Sequence, residues 1–233
     1  MTSGLPPGEQ FEALAERLRD GQSVDEVQQI IVDSAVALVE GCDRAATGVL
    51  TGDRFRGVAA TDDVARLIDV LQNEADEGPC LEASADMSVQ LDNDISKASK
   101  WPRLAAAIID RTPVRAVLAV PLVDEDRRSG ALNIFADRPD VFADDGVTTA
   151  AILAGFATVS LAAADSSARA TELEAGLLTS REIGAAVGIL MATHRVGQDE
   201  AFGMLSQASQ RLNRKLRDIA GGIVRGENGT TPQ

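Results

Sequence analysis

The stretch VRAVLAVPLVDEDRRSGALNIFADR, residues 114–138, decides the fold class of this 233-residue chain. Two apolar runs flank a short charged segment, DEDRRSG, that ends in glycine. A connection this short joins antiparallel neighbours, because parallel strands need a crossover of a dozen or more residues. Helical patterns lie on both sides of this hairpin, so the sequence predicts an α+β domain with a central antiparallel sheet and flanking helices.

The segments before and after the hairpin complete this pattern. RAATGVLTGD (44–53) and FRGVAATDD (55–63) are separated at TGD, which predicts a second hairpin, and SVQLDNDI (88–95) indicates a strand end. We expect Gly41 to end the second helix and Pro113 to stop the fourth. Apolar residues at helical spacing occupy 11–20, 24–41, 63–76, 100–113 and nearly all of 144–225.

Composition excludes several classes of site. The chain has one tryptophan, Trp101, and no tyrosine, so aromatic platforms for single-stranded nucleic acid are nearly excluded. Its only cysteines are Cys42 and Cys80 and its only histidine is His194, which are too few ligands for a usual zinc site. No hydrolase-type motif surrounds His194, so we predict neither an enzyme nor a metal site.

The sequence shows no pattern typical of secretion or membrane insertion, which predicts a cytoplasmic chain. The first ten residues, MTSGLPPGEQ, have no cationic and apolar regions of the kind that a secretory signal needs. VTTAAILAGFATVSLAAA (147–164) is uncharged and just long enough to span a bilayer, but small and hydroxyl residues predominate in it. We interpret it as a buried or dimer-forming helix and predict a cytoplasmic chain without membrane contact.

Charge divides the chain into an acidic and a basic part. Residues 1–180 hold 15 Lys and Arg against 31 Asp and Glu, whereas residues 181–225 hold 7 against 4. The basic residues concentrate in SQRLNRKLRD (209–218). Such a cluster can neutralise a few phosphates, or it can be a solvated face that balances acidic neighbours.

A long helix without proline is predicted between these two parts. A helix this long cannot bury its apolar stripe against itself, so we expect a coiled-coil homodimer. A broken helix that folds back on its own domain is the alternative. The apolar positions of the stripe are Val159, Leu161, Leu173, Leu177, Ile183, Val187 and Leu190.

The ordered motifs GVLTGD, EGPCLEA, KWPRLAAA, VRAVLAVPL and SGALNIFADRPDVF resemble a GAF domain of the actinobacterial type, over about residues 22–165. The resemblance implies a sensor whose antiparallel sheet holds a pocket on one face. Residues of the loops that would approach the pocket are Cys80, Leu81, Asp92 and Trp101. Cys80 is either a redox or attachment point or a small buried residue. The ligand and any cofactor are unknown, and a GAF domain used only as a dimer scaffold stays possible.

The run from about residue 170 to 225 resembles the ANTAR domain of bacterial transcription antitermination regulators. Matching positions include Ala186, Gly188 and Ile189 in the first of three predicted helices, and Leu216 and Ala220 in the third. The resemblance implies a dimeric three-helix module that binds paired stem-loops in nascent mRNA. The candidate RNA-binding residues are Arg181, His194, Arg195, Arg211, Asn213, Arg214, Lys215 and Arg217.

Two positions of this module, Asn213 and Val187, need separate comment. Asn213 is expected to cap the N-terminus of the third helix, which would place Arg214 and Lys215 in its first turn. Many family members have Ala-Lys-Gly where this chain has Ala186-Val187-Gly188. Loss of that lysine would weaken RNA binding if the lysine contacts phosphate, and Val187 would add to the dimer stripe.

The predicted organisation has five parts: an N-terminal helical extension (1–21), a GAF sensor (22–165), a coiled-coil linker (166–180), an ANTAR module (181–225) and a disordered tail (226–233). The predicted function is a signal-responsive antitermination regulator. Its partners would be RNA stem-loops, a second copy of the chain, and a small molecule or protein at the sensor. The alternative is a dimeric signalling scaffold without RNA binding.

Overall fold

A computed structural model describes residues 7–21, 23–52, 54–97, 99–123 and 129–226. The chain divides into two compact units, residues 1–166 and 167–233. The elements are, in chain order, α1 (Pro7–Asp20), α2 (Val24–Leu38), β1 (Arg44–Thr51), β2 (Arg54–Ala60), α3 (Asp63–Ala75), α4 (Pro79–Asp86), β3 (Gln90–Asp92), α5 (Pro102–Arg111), β4 (Ala116–Val123), β5 (Ser129–Ala136), α6 (Asp144–His194), α7 (Gln198–Leu212) and α8 (Leu216–Val224).

The first unit is built on a five-stranded sheet in the order β2-β1-β5-β4-β3, and every neighbouring pair is antiparallel. The predicted β4–β5 hairpin is confirmed, with Ala116 opposite Ala136 and Val123 opposite Ser129. Its charged turn, residues 124–128, lies outside the described residues. The β1–β2 hairpin is also confirmed, and Gly52 has a φ of 61° there, a left-handed conformation that glycine adopts at little cost.

Strand β5 shows how the two faces of the sheet differ. Because successive side chains point to opposite faces, Leu132 and Ile134 pack into one core, whereas Phe135 packs into the other. The first core includes residues of α1, α2 and α6, and the second includes residues of α3 and α5. The antiparallel sheet is therefore covered by helices on both faces, as expected for an α+β domain.

Polar side chains fix the ends of helices and strands in this unit. Ser23 caps α2 by accepting a hydrogen bond from the Glu26 N–H at 3.2 Å, and Asp62 caps α3 in the same way. Asp62 also accepts from Nε of Arg44 at 2.9 Å, and both terminal guanidinium nitrogens of Arg44 bond Asp137. Arg44 thus ties the start of β1 to the cap of α3 and to the chain beyond β5.

The prediction for the end of α2 is wrong by a few residues. The helix ends at Leu38 with Val39 as its cap, and Gly41 lies two residues further along with a φ of 84°. A Cβ at Gly41 would approach Val141 at 3.0 Å. Gly41 is therefore required by the tight turn between α2 and β1 and does not cap the helix.

The second unit contains the C-terminal part of α6 together with α7 and α8. Their buried residues form one small core of Ala186, Val187, Ala201, Leu205 and Ala220. Helix α6 ends at His194, as predicted, and Arg195 has a φ of 56°. Gly197, predicted as a helix breaker, is the cap residue before α7, which begins at Gln198. The expected three-helix arrangement is therefore present.

The expected role of Asn213 is wrong. This residue ends α7 in a left-handed conformation, with φ 49° and ψ 42°, and Lys215 is the cap residue of α8. Asparagine tolerates the left-handed region better than most residues, which suits it to the position after a helix. Arg214 and Lys215 consequently lie in the turn before α8 and not in its first turn.

The apolar stripe of α6 divides between two environments. Val187 is 7% exposed in the core of the second unit, where Ile183 and Leu190 pack against it, so Val187 does not extend an exposed stripe. Val159 and Leu173 are 71% and 69% exposed. Among the described helices, α6 is long and apolar enough to cross a membrane by length and composition, and 22% of its most apolar window is buried.

Candidate functional site

The turn between α7 and α8 presents the basic residues found in the sequence. The N–H of Arg214 donates to the carbonyl of Ser209 at 3.1 Å, and the Ser209 hydroxyl donates to the carbonyl of Arg214 at 2.6 Å. The N–H of Asn213 donates to the carbonyl of Gln210 at 3.3 Å. These bonds hold the backbone of the turn, and the side chains of Arg211, Asn213, Arg214 and Lys215 are all exposed.

The N-terminus of α8 adds a favourable dipole to this surface. The side chain of Lys215 makes no capping bond to the helix, so it leaves the first N–H groups for another acceptor. Leu216 and Ile219 pack against the bundle core, and Arg217 is exposed, 3.6 Å from a carboxylate oxygen of Asp218. A helix N-terminus beside several cations is suited to a phosphate group.

The remaining candidate residues lie on α6 and at its end. His194 and Arg195 are exposed at the end of α6, and the 15 residues of α7 separate them from Asn213 by about 22 Å along its axis. Arg181 precedes His194 by about 20 Å along α6. All eight candidates are exposed. Arg211, Asn213, Arg214, Lys215 and Arg217 cluster at the α7–α8 turn, and His194 and Arg195 lie at the opposite end of α7.

The predicted sensor-pocket residues are largely used in packing. Cys80 is 1% exposed beside Phe55 and Ala131, with Leu81 packed against them. The indole of Trp101 donates to a carboxylate oxygen of Glu82 at 2.7 Å, and its ring is buried. Burial raises the pKa of the Cys80 thiol well above its usual value. A thiol that resists ionisation is a poor nucleophile, which favours the small buried residue over an attachment point.

Asp92, the fourth predicted pocket residue, organises its own loop. One of its carboxylate oxygens accepts a hydrogen bond from the N–H of Asp94 at 3.2 Å, and the other oxygen is buried without a partner among the described atoms. The neighbouring Asn93 donates to and accepts from the backbone of Phe142, both at 3.0 Å. Within the described residues, no three His, Cys, Asp or Glu side chains are grouped to hold a metal ion.

A buried polar cluster under α3 was missed by the sequence reasoning. Asp69 is 6% exposed, and the amide of Asn133 donates to its carboxylate at 3.5 Å. Burial raises the pKa of Asp69 to about 7, partly offset by that hydrogen bond. The side chain of Gln72 accepts from the Cys80 N–H at 3.0 Å. Two polar residues on the otherwise apolar face of α3 were the available signal in the sequence.

A cavity of about 130 Å³ lies in the first unit, and none of the four predicted pocket residues lines it. Its walls come from the start of α2, the ends of β1, β4 and β5, and the middle of α6. Most of the side chains that line it are apolar. Its polar side chains are Gln28, Thr158 and Asp165, and its apolar ones include Val49, Leu122 and Leu161.

Two protein families match this chain. The GAF domain matches residues 21–162 and the ANTAR domain matches residues 171–224. These are sensor and regulatory families, not catalytic ones. Among curated protein sequences no match was found.

Similar solved structures support the fold of the first unit. A GAF domain from an Acinetobacter phosphoenolpyruvate-protein phosphotransferase has a TM-score of 0.53 at 13% identity, covering 68% of this chain and 93% of its own. The reduced form of fRMsr of Staphylococcus aureus has the same TM-score at 12% identity, covering 66% and 94%. The chromophore-binding domain of the bacteriophytochrome RpBphP3 from R. palustris also scores 0.53 at 12% identity, covering 68% and 62%. At these identities the likeness concerns the fold alone.

Proposed function

Because the chain belongs to the GAF-ANTAR family, we propose that it is a signal-responsive transcription antitermination regulator whose C-terminal module binds paired stem-loops in nascent RNA. The observation that carries the proposal is the exposed basic surface at the α7–α8 turn, within residues matched by the ANTAR domain. The two family matches support the general class, a regulator with a GAF sensor. The specific proposal is that this regulator binds RNA.

The cations at this turn are suited to RNA backbone contact. Arg211, Arg214, Lys215 and Arg217 are exposed, while their backbone is held by hydrogen bonds within the turn. A turn held in one conformation loses little entropy on binding, and its cations release counterions from the RNA. His194 and Arg195 lie at the other end of α7, about 22 Å along its axis. We propose that they contact a different part of the same RNA or the second hairpin.

The position that carries lysine in many relatives contributes to folding here. Val187 is 7% exposed and packs with Ala186, Ala201 and Leu205. We propose that the cations of the α7–α8 turn make the RNA contacts of this chain, and that Val187 strengthens the core of the module. This reading favours retained RNA binding despite the departure from the family pattern.

Dimerisation would place two such modules on one RNA. Leu173 and Leu177 are 69% and 61% exposed, and residues four apart lie on the same face of a helix. Exposed leucines of this kind in a charged helix are typical of a coiled-coil seam. We therefore propose a parallel homodimer joined through residues 166–180, in the cytoplasm where nascent RNA is made.

The same exposed leucines would also serve a dimeric signalling scaffold that binds no RNA. An RNA-binding experiment separates the two functions. The purified chain is titrated with a two-hairpin RNA, with each hairpin alone and with duplex DNA, over a series of salt concentrations. We expect tightest binding to the paired hairpins and a steep fall in affinity as salt rises.

Charge-matched variants sharpen this experiment. Arg214→Ala/Lys215→Ala should weaken binding and reduce the slope of log affinity against log salt by roughly 1.5 to 2. Arg17→Ala/Arg19→Ala removes two exposed charges from α1 and should leave both unchanged. Equal affinity for all nucleic acids, or an equal loss in both variants, would refute the proposal and favour the scaffold.

A further inference from the structure

In the first unit, helix α6 carries apolar side chains on two faces. Leu153 and Ala157 lie on one face and are buried in the core that α2 and the sheet share. Ile152, Phe156 and Val159 lie on the other face and are 45%, 38% and 71% exposed. A helix that is apolar on both faces is normally buried on both, and its own unit buries only the first. The exposed face is therefore available to a partner.

The exposed face follows a seven-residue repeat in the sequence. Ile152, Val159 and Leu173 are separated by multiples of seven residues, and so are Phe156 and Leu177. The two series are offset by three and four residues, which is the spacing of the a and d positions of a coiled coil. The remaining positions of the repeat are small residues that are also exposed: Ala163, Ser166 and Ala170.

The linker alone is too short to hold a stable dimer. Residues 166–180 span about two heptads, whereas an apolar repeat indicates a coiled coil when it continues over about three to four. A stable interface buries about 800 Å² per partner, and even an aromatic side chain buries only about 150–250 Å². Leucine is smaller, so Leu173 and Leu177 supply at most about half of that area. A repeat that begins at Ile152 gives about four heptads before residue 180.

Helix α1 flanks the exposed face of α6. The rings of Phe11 and Phe156 are stacked, with centroids 5.7 Å apart and an interplanar angle of 19°. Leu14 and Leu18 anchor α1, because both are buried in the core below it. The Phe156 ring is thus held in place at the surface, and aromatic side chains are enriched at protein interfaces.

We propose that Ile152, Phe156 and Val159 contact the same residues of a second copy of this chain, so that the homodimer interface begins within the sensor unit. A two-fold interface is self-complementary, and a residue on its axis meets its own copy. Residues 1–180 hold 15 Lys and Arg against 31 Asp and Glu, so an anionic lipid surface would repel this unit. This contact rests on the homodimer of the proposed function and extends it beyond residues 166–180.

Disulfide cross-linking of the full chain tests the contact. Val159→Cys places a thiol on the exposed face, and mild oxidation should convert most of the chain to a covalent dimer on a non-reducing gel. Val70→Cys is the matched control, because Val70 is 50% exposed on α3, which covers the other face of the sheet. This control should stay monomeric on the gel. Cys42 and Cys80 are buried, so the wild type should also stay monomeric there.

A charge substitution in the full chain is the second test. Val159→Asp places two like charges at the interface and should raise the dimer Kd by about 100-fold or more in analytical ultracentrifugation. Val70→Asp should leave Kd unchanged. Because Val159 is 71% exposed in one chain, Val159→Asp should keep the far-UV circular dichroism of the wild type.

The outcomes separate this contact from the proposed function. The contact is refuted if Val159→Cys cross-links no better than Val70→Cys, or if Val159→Asp stays dimeric while Leu173→Ala/Leu177→Ala dissociates. Sedimentation of the wild type with phosphatidylcholine vesicles, without a cross-link at position 159, would assign the face to lipid and also refute the contact. Cross-linking at position 159 in a chain that binds no RNA would uphold the contact and refute the antitermination function.

Discussion

Replacing Asp69 by asparagine should make the protein more stable at high pH and leave it nearly unchanged at low pH. The carboxyl of Asp69 is 6% exposed, and burial raises its pKa from 3.8 to about 7. In the folded chain it stays protonated up to about pH 7, whereas in the unfolded chain it ionises near pH 4. The unfolded state therefore binds fewer protons between these values, and the free energy of unfolding falls as pH rises.

The size of the effect follows from the two pKa values. At 1.36 kcal/mol per pH unit, a rise from 3.8 to about 7 corresponds to a loss of about 4 kcal/mol at pH well above 7. Below pH 4 both states hold the proton and the cost is absent. The groups around the carboxyl are Asn133, which donates to it, and the thiol of Cys80, whose pKa is raised first by burial and then by Asp69.

The assay is urea unfolding at pH 5 and pH 8.5, comparing the wild type with Asp69→Asn. We expect the variant to gain about 4 kcal/mol over the wild type at pH 8.5 but only about 1.6 kcal/mol at pH 5, where the unfolded carboxyl is already mostly ionised. Glu74→Gln, an exposed position of the same helix, is the control and should show no such gain. A difference between wild type and Asp69→Asn that is the same at both pH values would refute the assignment of a raised pKa.

Three further predictions concern other parts of the chain. Leu173→Ala/Leu177→Ala should convert the proposed dimer to monomers in analytical ultracentrifugation, because four leucines per dimer lose burial and Kd rises by about 100-fold or more. Gly57→Ala should destabilise the fold by about 1–3 kcal/mol in urea unfolding, since its Cβ would lie 2.6 Å from a carboxylate oxygen of Asp69. Val187→Lys should lower the unfolding free energy by about 1–2 kcal/mol in calorimetry without raising RNA affinity, because a core side chain is lost.

Matched positions serve as controls for these variants. Glu174→Ala changes an exposed residue between the two leucines and should leave the dimer intact. Gly155→Ala places a methyl group where nothing lies within 4 Å, and Ile189→Lys alters a side chain that is already 41% exposed. An unchanged sedimentation coefficient, a neutral Gly57→Ala, or tighter RNA binding by Val187→Lys would contradict the corresponding prediction.

The basic surface shows which features of the C-terminal module local sequence could predict and which it could not. The clustering of cations near residue 214 and the amphipathic spacing of α7 and α8 predicted exposed cations on a small helical unit, because exposure follows from which residues face the core. The helix boundary was assigned incorrectly at Asn213, since an asparagine suits both ends of a helix. The choice between them depends on hydrogen bonds of the folded turn, in which the carbonyls of Gln210 and Ser209 accept from the N–H groups of Asn213 and Arg214.

By itself the sequence determined the order of elements, the antiparallel pairing around β4 and β5, and the two families, because these depend on periodicity, turn length and local motifs. It did not determine which polar groups meet inside. Asp69 and Asn133 are 64 residues apart in sequence and meet only where α3 packs on the sheet. The cavity at Gln28 likewise needs α2, β5 and α6 together. Burial and empty space arise from elements distant in the chain, and only the tertiary structure brings these together.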